Sequence, residues 1–238
     1  MNKEEFVIEV NKLGISITNK EMDLLDKYYK LLISWNEKIN LTAITDENDV
    51  YLKHFYDSLT LIKEIDLTKD IYLCDVGSGA GFPGIVLKIF FPNIKIKLID
   101  SLQKRVNYLN EVIKKLELKD IEAEHYRMED YSRLHLEEFD YITARAVANL
   151  SFISEISVQA LKINGYFVFM KGNAKEEIST FTKVSSKLGL CIESINEFEL
   201  PIENSTRTLI KIRKVSKTNN KYPRRIDILK KEYAQKGK

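Results

Sequence analysis

The sequence predicts an α/β fold, a mostly parallel seven-stranded sheet with flanking helices, and three observations predict it. The first seventy residues read as helices alone. From residue 71, short apolar runs alternate with amphipathic helical stretches, the pattern of βαβ units around a parallel sheet. The last two extended runs then follow one another with no helix between them, as an antiparallel hairpin does.

Taken in order, a helix over 3–13 closes at Gly14, and Thr18-Asn19-Lys20-Glu21 forms a capping box that opens a helix running to about Ile39. Its apolar spacing Leu24, Leu25, Tyr28, Leu31, Leu32, Trp35 is core packing, and Trp35 belongs to that core. A third helix is expected over 47–63. The expected strands are 71–75, 95–99, about 121–125, 139–143, 166–170, 191–199 and 206–213. Helices over 83–90, 102–117, 152–162 and 175–188 connect them, with Ser101 and Ser151 as N-caps. The implied organisation is a helical cap over 1–68, a core over 69–215 and a basic segment over 216–238, together one globular unit. No internal repeat or low-complexity stretch interrupts it.

The chain has 238 residues, 44% hydrophobic and 30% charged, enough for a full core. No window approaches a membrane span, and the acidic opening MNKEEF lacks the layout of a signal peptide, so a cytoplasmic protein and, at this size, a monomer are expected. Cys74 and Cys191 lie in apolar strand-like runs without a CxxC or histidine cluster, which argues for buried thiols and against a disulfide framework or a metal site. Residues 211–238 hold 11 of the 37 Lys and Arg but 2 of the 35 acids. That segment carries +9 and the rest of the chain −7, an asymmetry that suits a phosphate-bearing partner as well as it suits a solvated tail.

The strand at 71–75 runs into Asp75-Val-Gly77-Ser-Gly79-Ala-Gly81-Phe82-Pro83-Gly84. Glycines here let the backbone turn sharply and approach a ligand, and Pro83 suits a first helical turn. Asp100, ending the next strand 23 residues after Gly77, is placed to accept two ribose hydroxyls. Gly79-x-Gly81-x-x-Gly84 also fits the dinucleotide fingerprint of a dehydrogenase. Against that stand the acid before the first glycine, the acidic pair Glu129 and Asp130 after the third strand, and the terminal hairpin. Together they resemble the glycine motif, adenine-binding acids and closing hairpin of the S-adenosylmethionine methyltransferases, and that resemblance favours such an enzyme over a dehydrogenase.

Several segments then resemble one family, the ribosomal RNA small subunit methyltransferase G family, also called glucose-inhibited division protein B. They are Trp35-Asn-Glu-Lys-Ile-Asn-Leu-Thr-Ala-Ile44, His54-Phe-Tyr-Asp57-Ser58-Leu59, DVGSGAGFPG (75–84), LIDSLQKRVNYL (98–109), RMED (127–130), ARAVANL (144–150) and MKG (170–172), with Arg207 and Tyr222-Pro-Arg-Arg225 beyond. The resemblance implies a class I, Rossmann-like fold, S-adenosylmethionine as cofactor, and N7 methylation of guanine 527 in the 530 loop of 16S ribosomal RNA, free or in the small subunit. Another RNA or a small molecule is the alternative substrate. By motif position, Asp75, Gly77, Gly79, Phe82, Asp100, Met128, Glu129 and Arg145 would bind the cofactor, Met128-Glu129 at its adenine end. Lys171, Arg207, Arg224 and Arg225 would meet RNA. The chain departs from the family after Arg225, where Ile226-Asp-Ile-Leu-Lys-Lys-Glu-Tyr replaces a glycine- and proline-containing stretch.

The implied chemistry agrees with what the sequence lacks. Guanine N7 carries a free lone pair and needs no general base, so the scattered histidines, 54, 125 and 135, are not expected to be catalytic. His125 and His135 read as surface residues and His54 as a residue that orders the helical cap. Catalysis reduces to holding nucleophile and methyl in line. Arg145, following the fourth strand at the carboxyl edge of the sheet, is the candidate for substrate positioning, by one bond to O6, a phosphate or the cofactor carboxylate. A strand-end arginine in a structural salt bridge is the other reading. Phe82, an aromatic inside the glycine loop, suits contact with the cofactor or a flipped base.

Overall fold

The structure, a computed structural model, describes residues 1–234. Helices α1 (Lys3–Lys12) and α2 (Asn19–Ile39) each open with a capping box, Asn2 with Glu5 and Thr18 with Glu21, which satisfies the free N–H groups of the first turn. The stretch expected as one helix is broken. It runs through α3 (Glu47–Val50), a π-helical turn over Tyr51–Tyr56, α4 (Asp57–Leu59) and a 3-10 turn over Thr60–Lys63. π turns gather at functional residues, and this one carries Lys53 and His54.

The α/β unit follows as β1 (Tyr72–Val76), α5 (Gly84–Phe90), β2 (Lys95–Asp100), α6 (Gln103–Lys115), β3 (Ile121–His125), α7 (Met128–Leu134), β4 (Phe139–Arg145), α8 (Leu150–Ser157), β5 (Leu161–Lys171), α9 (Lys175–Phe181), β6 (Leu190–Glu199), β7 (Thr206–Lys214) and α10 (Ile226–Ala234). The seven strands make one sheet in the order β3-β2-β1-β4-β5-β7-β6. Strands β1 to β5 are parallel, and β7 runs antiparallel between β5 and β6. The predicted sheet and its closing hairpin are therefore present.

Alternation along the strands divides the core in two. Leu73, Val168 and Met170 face a layer formed by the N-terminal helices with α5 and α6. Cys74, Val76, Phe167 and Phe169 face a second layer that includes α8 and α10. The chain reverses its course through the sheet at β1, whose neighbours are β2 and β4. The carboxyl ends of β1 and β4 therefore flank a topological switch point, where open α/β sheets bind ligands.

Several local expectations are corrected. Neither serine caps its helix: α6 starts after Leu102, whose N–H donates to Asp100, and α8 is capped by Asn149, which accepts from the Ser151 N–H at 2.9 Å. The helix expected over 152–162 ends at Ser157 because β5 already begins at Leu161. The helix expected over 175–188 is interrupted after Phe181, and α7 was not anticipated. Cys74 is a buried thiol, but Cys191 lies on the solvent face of the edge strand β6 and is exposed.

The segment read as a basic tail is folded onto the second layer, apart from 235–238, which lie outside the described residues. Tyr222, Leu229 and Tyr233 are buried there. Arg224 forms a bidentate pair with Glu155 of α8 (Nε–Oε1 2.9 Å, Nη2–Oε2 2.7 Å) and reaches Glu232 at 2.7 Å. Lys214, counted among the tail cations, ends β7 and donates from a buried ammonium to the carbonyls of Val158 and Leu161. Glu155→Gln should remove about 1–3 kcal/mol, less than a fully buried pair loses because the guanidinium is partly in water. The urea midpoint should fall, and trypsin should cut after Lys221 or Arg225 at protein concentrations where the parent resists.

Candidate functional site

The glycine loop leaves β1 with Gly77, Gly79 and Gly81 all at positive φ (68°, 57° and 95°), a path that side chains with a Cβ rarely follow. Two buried acids hold it. Asp75 accepts the Gly84 N–H at 2.9 Å, pinning the start of α5 to the end of β1, and a Cβ on Gly84 would overlap Leu98 at 2.3 Å. Asp100 accepts from Gly79 N–H and Leu102 N–H, both at 2.9 Å, with Arg105 3.6 Å away. Burial pushes the Asp75 carboxyl up to about 7, against the Gly84 bond and the Arg145 charge, which pull it down.

A cavity of about 170 Å3 opens beside this loop. Gly77, Met128 and Glu129 line it as the motifs suggested, with apolar walls from Val76, Ile99, Val147, Phe152 and Ile156. Asp75 and Asp100 do not. They lie behind the loop, 0% and 2% exposed, and bond its backbone. Gly79 and Phe82 are not in this wall either, nor is Arg145. Arg127, the backbone before α7, and two residues of α10, Ile226 and Lys230, are lining residues that the sequence reading missed.

A second cavity, of about 330 Å3, lies between the cap and the ends of β4, β5 and β7. Lys53, His54, Asp57, Arg145, Lys171 and Arg207 line it. Asp57, 3% exposed, accepts from Arg145 Nη1 at 3.2 Å and from Arg207 Nε at 3.0 Å. Arg145 also donates to the Lys53 carbonyl at 2.8 Å and to His54 Nδ1 at 3.0 Å, and its guanidinium lies over the Phe82 ring. Phe82 stacks on His54 with ring centroids 4.4 Å apart, so its aromatic face is used inside the protein. Arg145 is in a salt bridge, as one of its two readings expected, and it also lines this cavity.

The tautomer of His54 follows from its neighbours. A guanidinium only donates, so Nδ1 carries the lone pair, and its 3.1 Å approach to the Lys53 carbonyl is a contact of two acceptors. Nε2–H then donates to Thr42 Oγ1 at 3.0 Å. Burial, then the Arg145 charge, push its pKa down to about 3. His54 is thus neutral, and the expectation that it only orders the cap misses its place in the cavity wall.

Arg145 and Ala146 line the second cavity and Val147 the first, so one short turn divides them. Ala146 sits at φ 55°, a strained conformation for alanine that turns the chain between the two. Of the residues expected to meet RNA, Lys171 and Arg207 line the second cavity. Lys171 is also paired with Glu177 at 3.0 Å. Arg224 is paired with Glu155 and Glu232, and Arg225 is exposed beside Asp227.

A seven-stranded sheet in this order, with β7 antiparallel between β5 and β6 and a glycine loop after β1, is the architecture of the class I methyltransferases. Among solved structures, the chain resembles a SAM dependent methyltransferase from Aquifex aeolicus (21% identity, TM-score 0.50, 70% of this chain and 93% of that one). It likewise resembles a putative sarcosine dimethylglycine methyltransferase from Galdieria sulphuraria (13%, 0.56, 72% and 89%). At such identities the likeness concerns the fold alone.

The sequence is more specific. The family model for rRNA small subunit methyltransferase G matches residues 21–209. Proteins named Ribosomal RNA small subunit methyltransferase G are 44% identical to it in Bacillus cytotoxicus (228 residues, 94% of this chain and 95% of the relative) and in Oceanobacillus iheyensis (235 residues, 98% and 99%). The chain belongs to the rRNA small subunit methyltransferase G family, as its motifs led us to expect.

His54 also gives the site a pH signature. The unfolded chain takes up a proton near pH 6.5 and the folded one only near 3, so this contribution is complete above 6.5 and is lost as the pH falls toward 3. His54→Asn, which keeps an acceptor near Nδ1 but does not titrate, should lose less stability between pH 7 and pH 4 than the parent. The difference should be about 1–3 kcal/mol, read from urea midpoints.

Proposed function

We propose that the protein transfers the methyl group of S-adenosylmethionine to N7 of a guanine in 16S ribosomal RNA, guanine 527 of the 530 loop by its motifs. The coarser part, ribosomal RNA methylation with S-adenosylmethionine as cofactor, follows from the family. The lining of the glycine-loop cavity suits the adenosyl end of that cofactor. Its apolar walls suit a flat purine, and Glu129 offers a carboxylate for the polar edge. Its glycine is also needed, because a Cβ on Gly77 would come within 2.7 Å of the Val147 side chain.

Bound there, S-adenosylmethionine supplies an electrophilic methyl group on a sulfonium. The observation that carries the N7 reading is the state of the other cavity. Its possible bases are engaged: the His54 lone pair accepts from Arg145, and both Asp57 oxygens accept from arginines. A cavity without a free base suits a nucleophile that already holds a lone pair, as guanine N7 does. Arg145 holds position and charge, and Lys53, Lys171 and Arg207 add cations that favour a phosphate-bearing substrate.

Two outcomes test this reading. Gly77→Ala, strained at φ 68° and crowded by Val147, should stay folded by circular dichroism and weaken S-adenosylhomocysteine binding by about tenfold or more, on the scale of about 1.4 kcal/mol per tenfold. Arg145→Lys keeps the charge but loses the fork that reaches His54, Asp57 and the Lys53 carbonyl together. Its kcat should fall by about a hundredfold with little change in cofactor affinity. The assay is methylation of small ribosomal subunits followed by mass spectrometry of nuclease fragments. A methyl on any atom but guanine N7 would refute the proposal.

A further inference from the structure

The charge of the last residues suggests a solvated RNA-binding tail, yet in the structure they form a wall of the glycine-loop cavity. Ile226 and Lys230, one turn apart on α10, line it together with Met128 and Glu129 of α7 and Phe152 and Ile156 of α8. What holds α10 there lies outside the cavity. Leu229 and Tyr233 are buried against the second core layer, and Arg224 grips Glu155 on the helix that supplies Phe152 and Ile156. Arg133, on the helix that supplies Met128 and Glu129, donates to the Pro223 carbonyl at 2.8 Å. Gln159, just after α8, donates to the carbonyls of Asn219 at 3.1 Å and Tyr222 at 3.0 Å. The tail thus ties together the two helices that flank the cavity.

We infer that α10 is a clamp on the cofactor: it covers the adenosyl end of S-adenosylmethionine, and its docking is coupled to cofactor binding. The inference rests on the reading of this cavity as the cofactor site. Ile226 and the aliphatic stem of Lys230 add apolar surface at the α7 end, while the Lys230 ammonium stays at the exposed rim. Coupling of this kind is reciprocal: a docked α10 raises cofactor affinity, and bound cofactor holds α10 down by the same factor. The cations of this segment then serve the fold and the cofactor before any phosphate, since Arg224 is bound to two glutamates and Lys230 stands at the cavity.

The full-length protein is titrated with S-adenosylhomocysteine by calorimetry, and amide hydrogen exchange over 226–233 is measured with and without it. Ile226→Ala combined with Lys230→Ala should raise Kd by about tenfold, whereas Ile228→Ala, on the exposed side of the same helix, should stay within about twofold. In the parent, the ligand should slow exchange along α10. Unchanged affinity in the double variant, or unchanged exchange in a parent that binds the ligand, overturns the clamp and leaves the cofactor site standing. A parent that binds no S-adenosylhomocysteine removes both. Because exchange is read in the unaltered chain, the result holds even if the double variant loses its C-terminal helix.

Discussion

The carboxylate of Asp57 is the constraint on which the site depends. A buried carboxylate is costly unless it is paired and hydrogen-bonded, and here each oxygen meets a different arginine. Arg145 ends β4 and Arg207 lies on β7, with β5 between those strands. One side chain of the N-terminal cap therefore bridges a three-strand span at the edge of the sheet. The same bond that seats the cap orients Arg145 toward Phe82 and His54. The second cavity exists because cap and sheet meet there, and neither part alone could form it.

The glycine loop follows a parallel logic with acids turned inward. Asp75 and Asp100 spend their hydrogen-bonding capacity on backbone N–H groups, so the loop keeps its shape without a ligand. One oxygen, Asp75 Oδ1, has no partner, and burial raises the carboxyl toward neutrality. Preorganisation of this kind leaves the outer face of the loop to the ligand. Of the motif acids, Glu129 is the one that lines the first cavity.

The strands were legible because the parallel ones, covered by helices on both faces, had to be short continuous apolar runs, and the glycine loop because its positive φ angles demand glycine. Family motifs named Gly77, Met128, Glu129, Arg145, Lys171 and Arg207, all of which line one cavity or the other. Shape below that level was not legible. Asp100, one residue before Ser101, holds the Leu102 N–H ahead of α6, and an asparagine does the work expected of Ser151. Cys191 is exposed because its strand is an edge, which depends on the order of the sheet and not on local pattern. Net charge hides the fold of the tail, because Ile226, Leu229 and Tyr233 recur at the period of a helix that must bury one face.

The folded tail changes the electrostatic picture of the proposed substrate. A +9 segment on a −7 body suggests that RNA is held by the tail, yet Lys214 and Arg224 are bound within the fold. Under the proposed function, a phosphate would also meet the cations gathered around the second cavity, where Lys53, Arg145, Lys171 and Arg207 outnumber Asp57. Field lines in a low-dielectric cleft depend on such local clusters and hardly on net charge. Lys53 and Lys171 are themselves drawn toward Asp49, Glu203 and Glu177, so an incoming phosphate must compete with carboxylates for them. Electrostatic attraction then supplies only part of the recognition, and shape at the junction of cap and sheet must supply the rest. Under the proposed function, a protein built this way would select a folded RNA that fits the junction over any strand that merely carries charge.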